Sequence, residues 1–407
     1  MKILVVTQYY YPEDFRINDI CEELVRRGNS VTVVTGRPNY PKGEVFPGYE
    51  DSYKAPSIIN GVTVYRCKNR PRKKGLINLL FSYISFSKKA SKLIKKMDDD
   101  FDVIYAYQMS PITLVIPAIK YKKIHKIPLF IYVCDVWPES VRDLGNKKNI
   151  SLHNPIYLFF KFLSKKIYRQ ADMLGVKCNE FTEYLVSVCK VKRERCFLIF
   201  EHAEDNYLDV NDSPDDNGVI DFMYLGNLGH SSNCDLIIRA CKELEGENFL
   251  VHFVGDGSEY NNLVNLTKEL FLEDRIVFYG RVSQKDIIRF YNLADVCLLT
   301  LSGKSVIGLT PPAKLTGYMA AGRPIVASIN GASKAIIGES NCGYVCEADD
   351  LVGFSQIMQR IIDNPSSIDN FGKNGRLYFL KMFTLEKHIN RLEELLKKVL
   401  SNENLHH

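Results

Sequence analysis

A chain of 407 residues, 46% hydrophobic and 25% charged, has the composition of a globular protein of two or three domains with a real core. No run of about 18 apolar residues occurs, so there is no spanning helix, and the 11 scattered cysteines lack any Cys-x-x-Cys pair and read as reduced cytosolic thiols. The net charge of +5 is uneven: residues 1–200 carry 34 Lys+Arg against 19 Asp+Glu and the rest carry 19 against 29, which points the first half toward an anionic partner.

The chain opens on a buried-type strand, Ile3–Thr7, with no signal-peptide layout. A helical stretch from about Asp14 to Gly28 follows, then Val31–Thr35. Further apolar runs at Val103–Ala106, Leu129–Val133, Met173–Val176 and Phe197–Ile199 alternate with helical patterns. That alternation predicts a parallel sheet with helices on both faces. Between Lys73 and Met97 an apolar body (Leu76, Leu79, Phe81, Ile84, Phe86) is ringed by lysines, and Tyr157–Arg169 repeats the mixture. This composition suits an interfacial helix on anionic lipid; a core helix with a solvated basic end fits it as well.

Asp, Asn and Pro accumulate over 201–218, and the pattern then restarts with Ile220–Leu225, Leu250–Val254, Ile276–Tyr279, Val296–Thr300, Ile325–Ala327 and Gly343–Val345. The expected architecture is α/β: two doubly wound, Rossmann-like domains facing across a cleft. The first covers 1–200 and takes back a final amphipathic helix at 385–402; the second covers 201–384.

Such sheets bind ligands at the carboxyl ends of their strands, which singles out particular loops. Gly226-Asn-Leu-Gly229 follows a strand and precedes a helix expected near Ser232, so its backbone can approach a phosphate. Gly255-Asp-Gly257 and Gly280-Arg281-Val282 end the next two strands. Gly308 to Pro324 reads as a loop, a short helix and a stop, with Thr310 as N-cap, Pro311 and Pro312 at the entrance and Gly322 closing it. The amides of Ala313, Lys314 and Leu315, with the Lys314 ammonium beside them, form an expected anion site. Together these elements predict a nucleotide diphosphate held largely by backbone amides.

In the first half, Asp135 and Glu139 flank Trp137-Pro138 just past a buried strand. They can bind sugar hydroxyls or move a proton, or cap a helix. Arg16 can hold an anion or form a surface salt bridge. No metal cluster, Walker sequence, Gly-x-Ser-x-Gly elbow or nucleic-acid motif is present.

The motifs Tyr9-Tyr10-Tyr11-Pro12-Glu13…Arg16, Thr35-Gly-Arg-Pro-Asn-Tyr-Pro41, Asp135-Val-Trp-Pro-Glu-Ser140, Gly226-Asn-Leu-Gly229, Pro312-Ala-Lys-Leu315 and Tyr318-Met-Ala-Ala-Gly-Arg-Pro324 resemble the large family of retaining GT-B glycosyltransferases. Within it they are most similar to the bacterial surface-polysaccharide branch that includes N-acetyl-L-fucosamine transferases of O-antigen and capsule synthesis. The resemblance implies a UDP-sugar donor on the second domain. Gly226, Asn227 and Gly229 would face the diphosphate or sugar, Gly280, Arg281 and Val282 the base, and Pro312, Ala313, Lys314 and Leu315 the diphosphate. It implies an acceptor side formed by Tyr10, Tyr11, Glu13, Arg16, Asn39 and Tyr40, with Asp135, Glu139 and Lys314 as catalytic groups. It further implies transfer without a metal or other cofactor, a lipid-linked saccharide acceptor, and a cytoplasmic enzyme peripheral at the inner face of the cell membrane through its basic first domain, with no nucleic acid partner. One departure stands out. Many members carry two glutamates eight positions apart where this chain has Leu309 and Gly317. The segment is then left with amides, Lys314 and space, which suits a 6-deoxy amino sugar. A nucleotide-sugar 2-epimerase and a non-catalytic scaffold of a polysaccharide-assembly complex are the alternative readings.

Overall fold

The computed structural model describes the chain apart from residues 73–74, 98–99, 140–153, 204, 212–217, 245–247, 304–310 and 404–407. Among the described residues, one compact unit comprises those up to Phe200 together with the chain from His388 onward, and a second comprises Glu201–Lys387.

The first unit is built on an eight-stranded sheet: β1 (Lys2–Val6), β2 (Ser30–Gly36), β3 (Ser57–Ile59), β4 (Val62–Cys67), β5 (Val103–Gln108), β6 (Leu129–Val133), β7 (Met173–Val176) and β8 (Cys196–Leu198), in the order β3-β4-β2-β1-β5-β6-β7-β8. Apart from the antiparallel β3–β4 pair, neighbours run parallel. The central strands β5 and β6 are buried at every residue, as continuous apolar runs require when helices cover both faces. The sequence reading contained no strand between β2 and β5. The hairpin it passed over turns at Asn60-Gly61, both at positive φ (48° and 81°), the left-handed pair that a two-residue hairpin favours.

Helix α1 (Ile17–Arg26) begins later than Asp14, because the Asn18 side chain donates to Glu13 O and accepts from Tyr11 N, holding the preceding residues as a loop. Helix α2 (Leu76–Ile94) sinks Tyr83, Phe86, Ala90 and Ile94 into the core and leaves Phe81 and Ile84 outside. The helix thus has one face in the core and another, with Phe81, Ile84, Lys88, Lys89 and Lys92, that is exposed. Helices α3 (Ile116–His125), α4 (Pro155–Tyr168) and α5 (Asn179–Ser187) complete the layers. The C-terminal helix Leu385–Glu403 buries Ile389, Leu392, Leu395, Leu396 and Val399, and its Glu393 accepts from Asn29 at 2.8 Å.

The second unit has six parallel strands, β9 (Ile220–Leu225), β10 (Phe249–Val254), β11 (Ile276–Gly280), β12 (Val296–Thr300), β13 (Ile325–Ser328) and β14 (Gly343–Cys346), ordered β11-β10-β9-β12-β13-β14. Its helices are α6 (Cys234–Lys242), α7 (Tyr260–Glu269), α8 (Ile287–Leu293), α9 (Ala313–Ala320), α10 (Gly331–Ser340), α11 (Leu351–Asp363) and α12 (Phe371–Met382). Phe222, Tyr224, Ile237, Phe253, Leu298 and Phe354 are among the residues of one continuous core on a single face of this sheet. Among the described residues no helix is long and apolar enough to cross a membrane.

Candidate active site

In the second unit the strand order reverses between β9 and β12. These strands pair only through Phe222–Val296 and Met223–Cys297 and then part, which is where a doubly wound sheet opens a ligand crevice. Helix α9 plugs the gap. The Tyr318 hydroxyl accepts from Leu225 N at 3.0 Å and lies 3.3 Å from the carbonyls of Leu225 and Leu298, toward which it donates.

Helix α9 starts at Ala313, with Pro312 at the cap position rather than in the first turn. The expected cap Thr310 lies outside the described residues, as do Gly308, Leu309 and Ser140. The Leu315 amide, expected to point outward, donates to Pro312 O at 3.0 Å, and its side chain is fully buried. Leu315 is thus a core residue, and the helix start offers the amides of Ala313 and Lys314. At the other end Gly322 (φ 66°) donates to Met319 O and Arg323 to Tyr318 O, the paired bonds of a Schellman stop. Arg376 donates to the carbonyls of Ala320 and Ala321, which suits the negative end of the helix dipole. The position of α9 is therefore set at both ends.

The glycine loops meet backbone to backbone. Gly226 N–H donates to Val254 O, Leu228 N–H to Asp256 O and Gly255 N–H to Gly280 O. A Cβ on Gly255 (φ 148°) would fall 1.9 Å from Gly226 O, and one on Gly257 2.3 Å from Leu228 O, so only glycine permits this approach. The loops wall a cleft of about 440 Å³ that Gly226, Asn227, Gly255, Arg281 and Val282 help to line. A larger hollow, about 690 Å³, lies between α6 and α7 and touches Gly229. The smaller cleft is the one that the loops after β9, β10 and β11 line together at the carboxyl ends of their strands, so it is the better site. Lys314 packs behind Gly226: a Cβ there would lie 3.3 Å from Lys314 Cε and 3.4 Å from Nζ. The ammonium rests 3.9 Å from the centre of the Tyr224 ring and donates to the Tyr224 hydroxyl. Burial lowers its pKa from 10.5 to about 8.

Gly317 does not open onto free space. A Cβ there would meet the Tyr291 hydroxyl at 3.0 Å and Tyr207 at 3.5 Å. The room expected where relatives carry a carboxylate is filled by two tyrosines.

In the first unit, the loops after β1 and β2 are joined by Glu13, whose Oε1 accepts from the amides of Asn39 and Tyr40, both at 2.7 Å. Burial raises Glu13 to about 7 and prevails over the lowering effect of those amides. Asn39 Oδ1 accepts from Arg72 N, and the Arg72 guanidinium lies over the Tyr40 ring. Tyr10, Glu13 and Asn39 are buried, so of the six residues expected on the acceptor side they build the loops rather than form a surface. Tyr11 and Tyr40 are exposed, and Arg16 sits at the α1 cap.

After β6, Asp135 is half-buried and its Oδ2 accepts from Ser110 Oγ at 3.1 Å, while Ser110 Oγ accepts from Trp137 Nε1 at 2.8 Å. Glu139 is buried and accepts from the hydroxyls of Tyr157 (2.8 Å) and Tyr184 (3.0 Å). Two similar acids in sequence therefore differ in place: Glu139 is a buttress beneath the loop, and Asp135 remains nearer its surface. Tyr224, Ser110 and Arg72 carry no signal in the sequence motifs, and Tyr318 belongs to one without a role of its own. The two tyrosines sit in apolar runs where they look like any core aromatic. Among the described residues no group of three or more His, Cys, Asp or Glu side chains could hold a metal ion.

Residues 16–200 match the family described as Glycosyltransferase Family 4, and residues 208–378 match Glycosyl transferases group 1. The chain belongs to this class: it is a glycosyltransferase of the group 1, family 4 type with the GT-B fold. It is 26% identical over 310 residues to the "Probable glycosyltransferase WbjE" of Pseudomonas aeruginosa, spanning 73% of this chain and 74% of that one. It is 32% identical over 140 residues to the lipopolysaccharide core biosynthesis glycosyltransferase LpsD of Rhizobium meliloti, 34% of this chain and 38% of that one. Among solved structures, HepE of Anabaena in complex with UDP superposes with a TM-score of 0.70 at 14% identity, covering 98% and 100% of the two chains.

Proposed function

We propose that this glycosyltransferase moves a sugar from a UDP-sugar to a lipid-linked saccharide in the synthesis of a bacterial surface polysaccharide, with retention at the anomeric carbon. The observation that carries this reading is the pairing of Lys314 and the α9 start with the Gly226 loop at the β9–β12 switch point. A diphosphate placed there meets two helix amides, the loop backbone and one ammonium. All of these favour the charge that develops as the sugar–phosphate bond breaks. UDP as the nucleotude is supported by the UDP complex of HepE, and the surface-polysaccharide role by the LpsD relative and the sequence motifs. N-acetyl-L-fucosamine or another 6-deoxy amino sugar is the donor we favour, on the motif resemblance.

Asp135 orients the acceptor hydroxyl; Glu139 supports it by fixing the Trp137 loop through Tyr157 and Tyr184. The ammonium and amides supply the positive charge, so the reaction runs without a metal ion or other cofactor. The enzyme works at the cytoplasmic membrane face. Helix α4 supports this, because Ile156, Leu158, Phe159 and Phe162 are exposed beside Lys161, Lys165 and Lys166, the mixture an anionic lipid surface attracts.

The test incubates the enzyme with a panel of UDP-sugars and a polyprenyl-diphosphate-linked sugar, with and without EDTA. The expected result is UDP release matched by a mass gain on the acceptor, unchanged by EDTA, with the donor's anomeric configuration in the product. An epimerised donor formed without acceptor would establish the epimerase reading. Failure of every uridine nucleotide to bind would establish the scaffold reading.

A further inference from the structure

Lys314 can meet a diphosphate only if its flexible side chain is held in place. Among the described residues Lys314 has no carboxylate partner, and its ammonium donates to Tyr224 and rests over the Tyr224 ring. Tyr224 is fully buried near the end of β9, and its ring packs at 5.8 Å from Phe253. Its hydroxyl bridges the lysine and the loop. It accepts from Lys314 Nζ and donates to Asn227 O at 3.1 Å. Asn227 lies within the glycine loop, and its carbonyl also accepts from Ser232 Oγ at 2.8 Å. One phenol thus ties the lysine to the turn expected to face the same ligand. Gly226 completes the arrangement, since its missing Cβ leaves room for the lysine stem.

We propose that Tyr224 is a positioning residue that holds the Lys314 ammonium and the Gly226–Gly229 turn in the register that receives the donor diphosphate. The ring face attracts the cation and the hydroxyl directs it. The titratable groups facing the ammonium are Tyr224 on β9 and the Cys234 thiol at the start of α6. Burial pushes Cys234 up to about 11 and Tyr224 well above its ordinary value, so both are neutral near pH 8 and Lys314 is the group that titrates. The neutral pair offers the ammonium a partner without cancelling the charge that the diphosphate needs.

The proposal rests on the diphosphate reading, and its test separates the two. UDP binding is measured by calorimetry from pH 7 to 9.5, above the last phosphate ionisation at ~6, for the wild type, Lys314→Ala and Tyr224→Phe. The wild type is expected to lose affinity as pH rises through about 8, and Lys314→Ala to bind weakly at every pH. Tyr224→Phe keeps the ring but removes the acceptor for the ammonium. It is expected to bind UDP about tenfold more weakly at pH 7.5, the scale of one hydrogen bond to a charged group, with its alkaline limb displaced to lower pH. If Lys314→Ala binds as the wild type does, the diphosphate reading fails. If Lys314→Ala is impaired while Tyr224→Phe keeps the wild-type affinity and limb, the lysine stands and the role of Tyr224 is overturned, whatever its melting temperature. A second measurement needs no variant: the Lys314 side-chain proton resonances of the wild type are expected upfield, under the Tyr224 ring current. Unshifted resonances would equally overturn the proposal.

Discussion

Replacing Lys314 by methionine should make this protein more stable and less active at once. The amine is desolvated beside Tyr224, and its pKa falls from 10.5 to about 8. At ~1.36 kcal/mol per unit this amounts to roughly 3 kcal/mol against the charged form. Allowing for the half-buried stem and residual solvent, a cost on the order of 2 kcal/mol remains. The sign follows from a base whose folded pKa is depressed: the cost is present in full below about pH 8 and disappears as pH rises toward 10.5. Methionine keeps the stem and discards the charge. At pH 7 the variant should therefore melt roughly 4 to 8 °C higher, for a unit of this size, and near pH 10.5 the two proteins should converge. Turnover should fall about a hundredfold, the scale of losing one contact to charge that develops in the transition state. Differential scanning calorimetry at the two pH values and a UDP-release assay read both effects. A Lys314→Met protein that melts with the wild type at both pH values and turns over normally would refute the assignment of a buried, functional ammonium.

Glu13→Gln should flatten a pH dependence in the first unit. Glu13 has a folded pKa near 7 against an ordinary 4.5, so the folded state holds its proton longer and stability falls by about 3 kcal/mol between those values. Glutamine still accepts from the Asn39 and Tyr40 amides, so urea titrations should show the variant matching the wild type near pH 4.5 and exceeding it at pH 8. Gly255→Ala places a methyl 1.9 Å from Gly226 O at φ 148°; with no flexible side chain able to yield, it should cost on the order of 3 kcal/mol and abolish UDP binding in a thermal-shift titration. Replacing Phe159 and Phe162 together by serine should weaken sedimentation with anionic vesicles without changing turnover of a soluble acceptor analogue; undiminished sedimentation would remove α4 from the membrane contact.

Alternation of apolar runs with helical patterns determined the two-sheet architecture, because a parallel sheet covered on both faces must be continuous and apolar along each strand. Glycines at strand ends marked the loops, since close backbone approach tolerates no side chain there. The Asn60-Gly61 hairpin was not among the expected elements, because its short strands are half polar and β3 is largely exposed. Other features depended on the tertiary structure. Asp135 and Glu139 look alike four positions apart, and only the tyrosines of α4 and α5 separate a buttress from a half-exposed acid. Gly317 reads as vacant until Tyr207 and Tyr291 arrive from elsewhere in the unit. The same holds for Lys314. Its place at a helix start follows from the local pattern, but its partner lies 90 residues earlier on β9. Local propensity carries no record of such a contact, which exists only because the β9–β12 gap brings α9 down onto the end of the sheet.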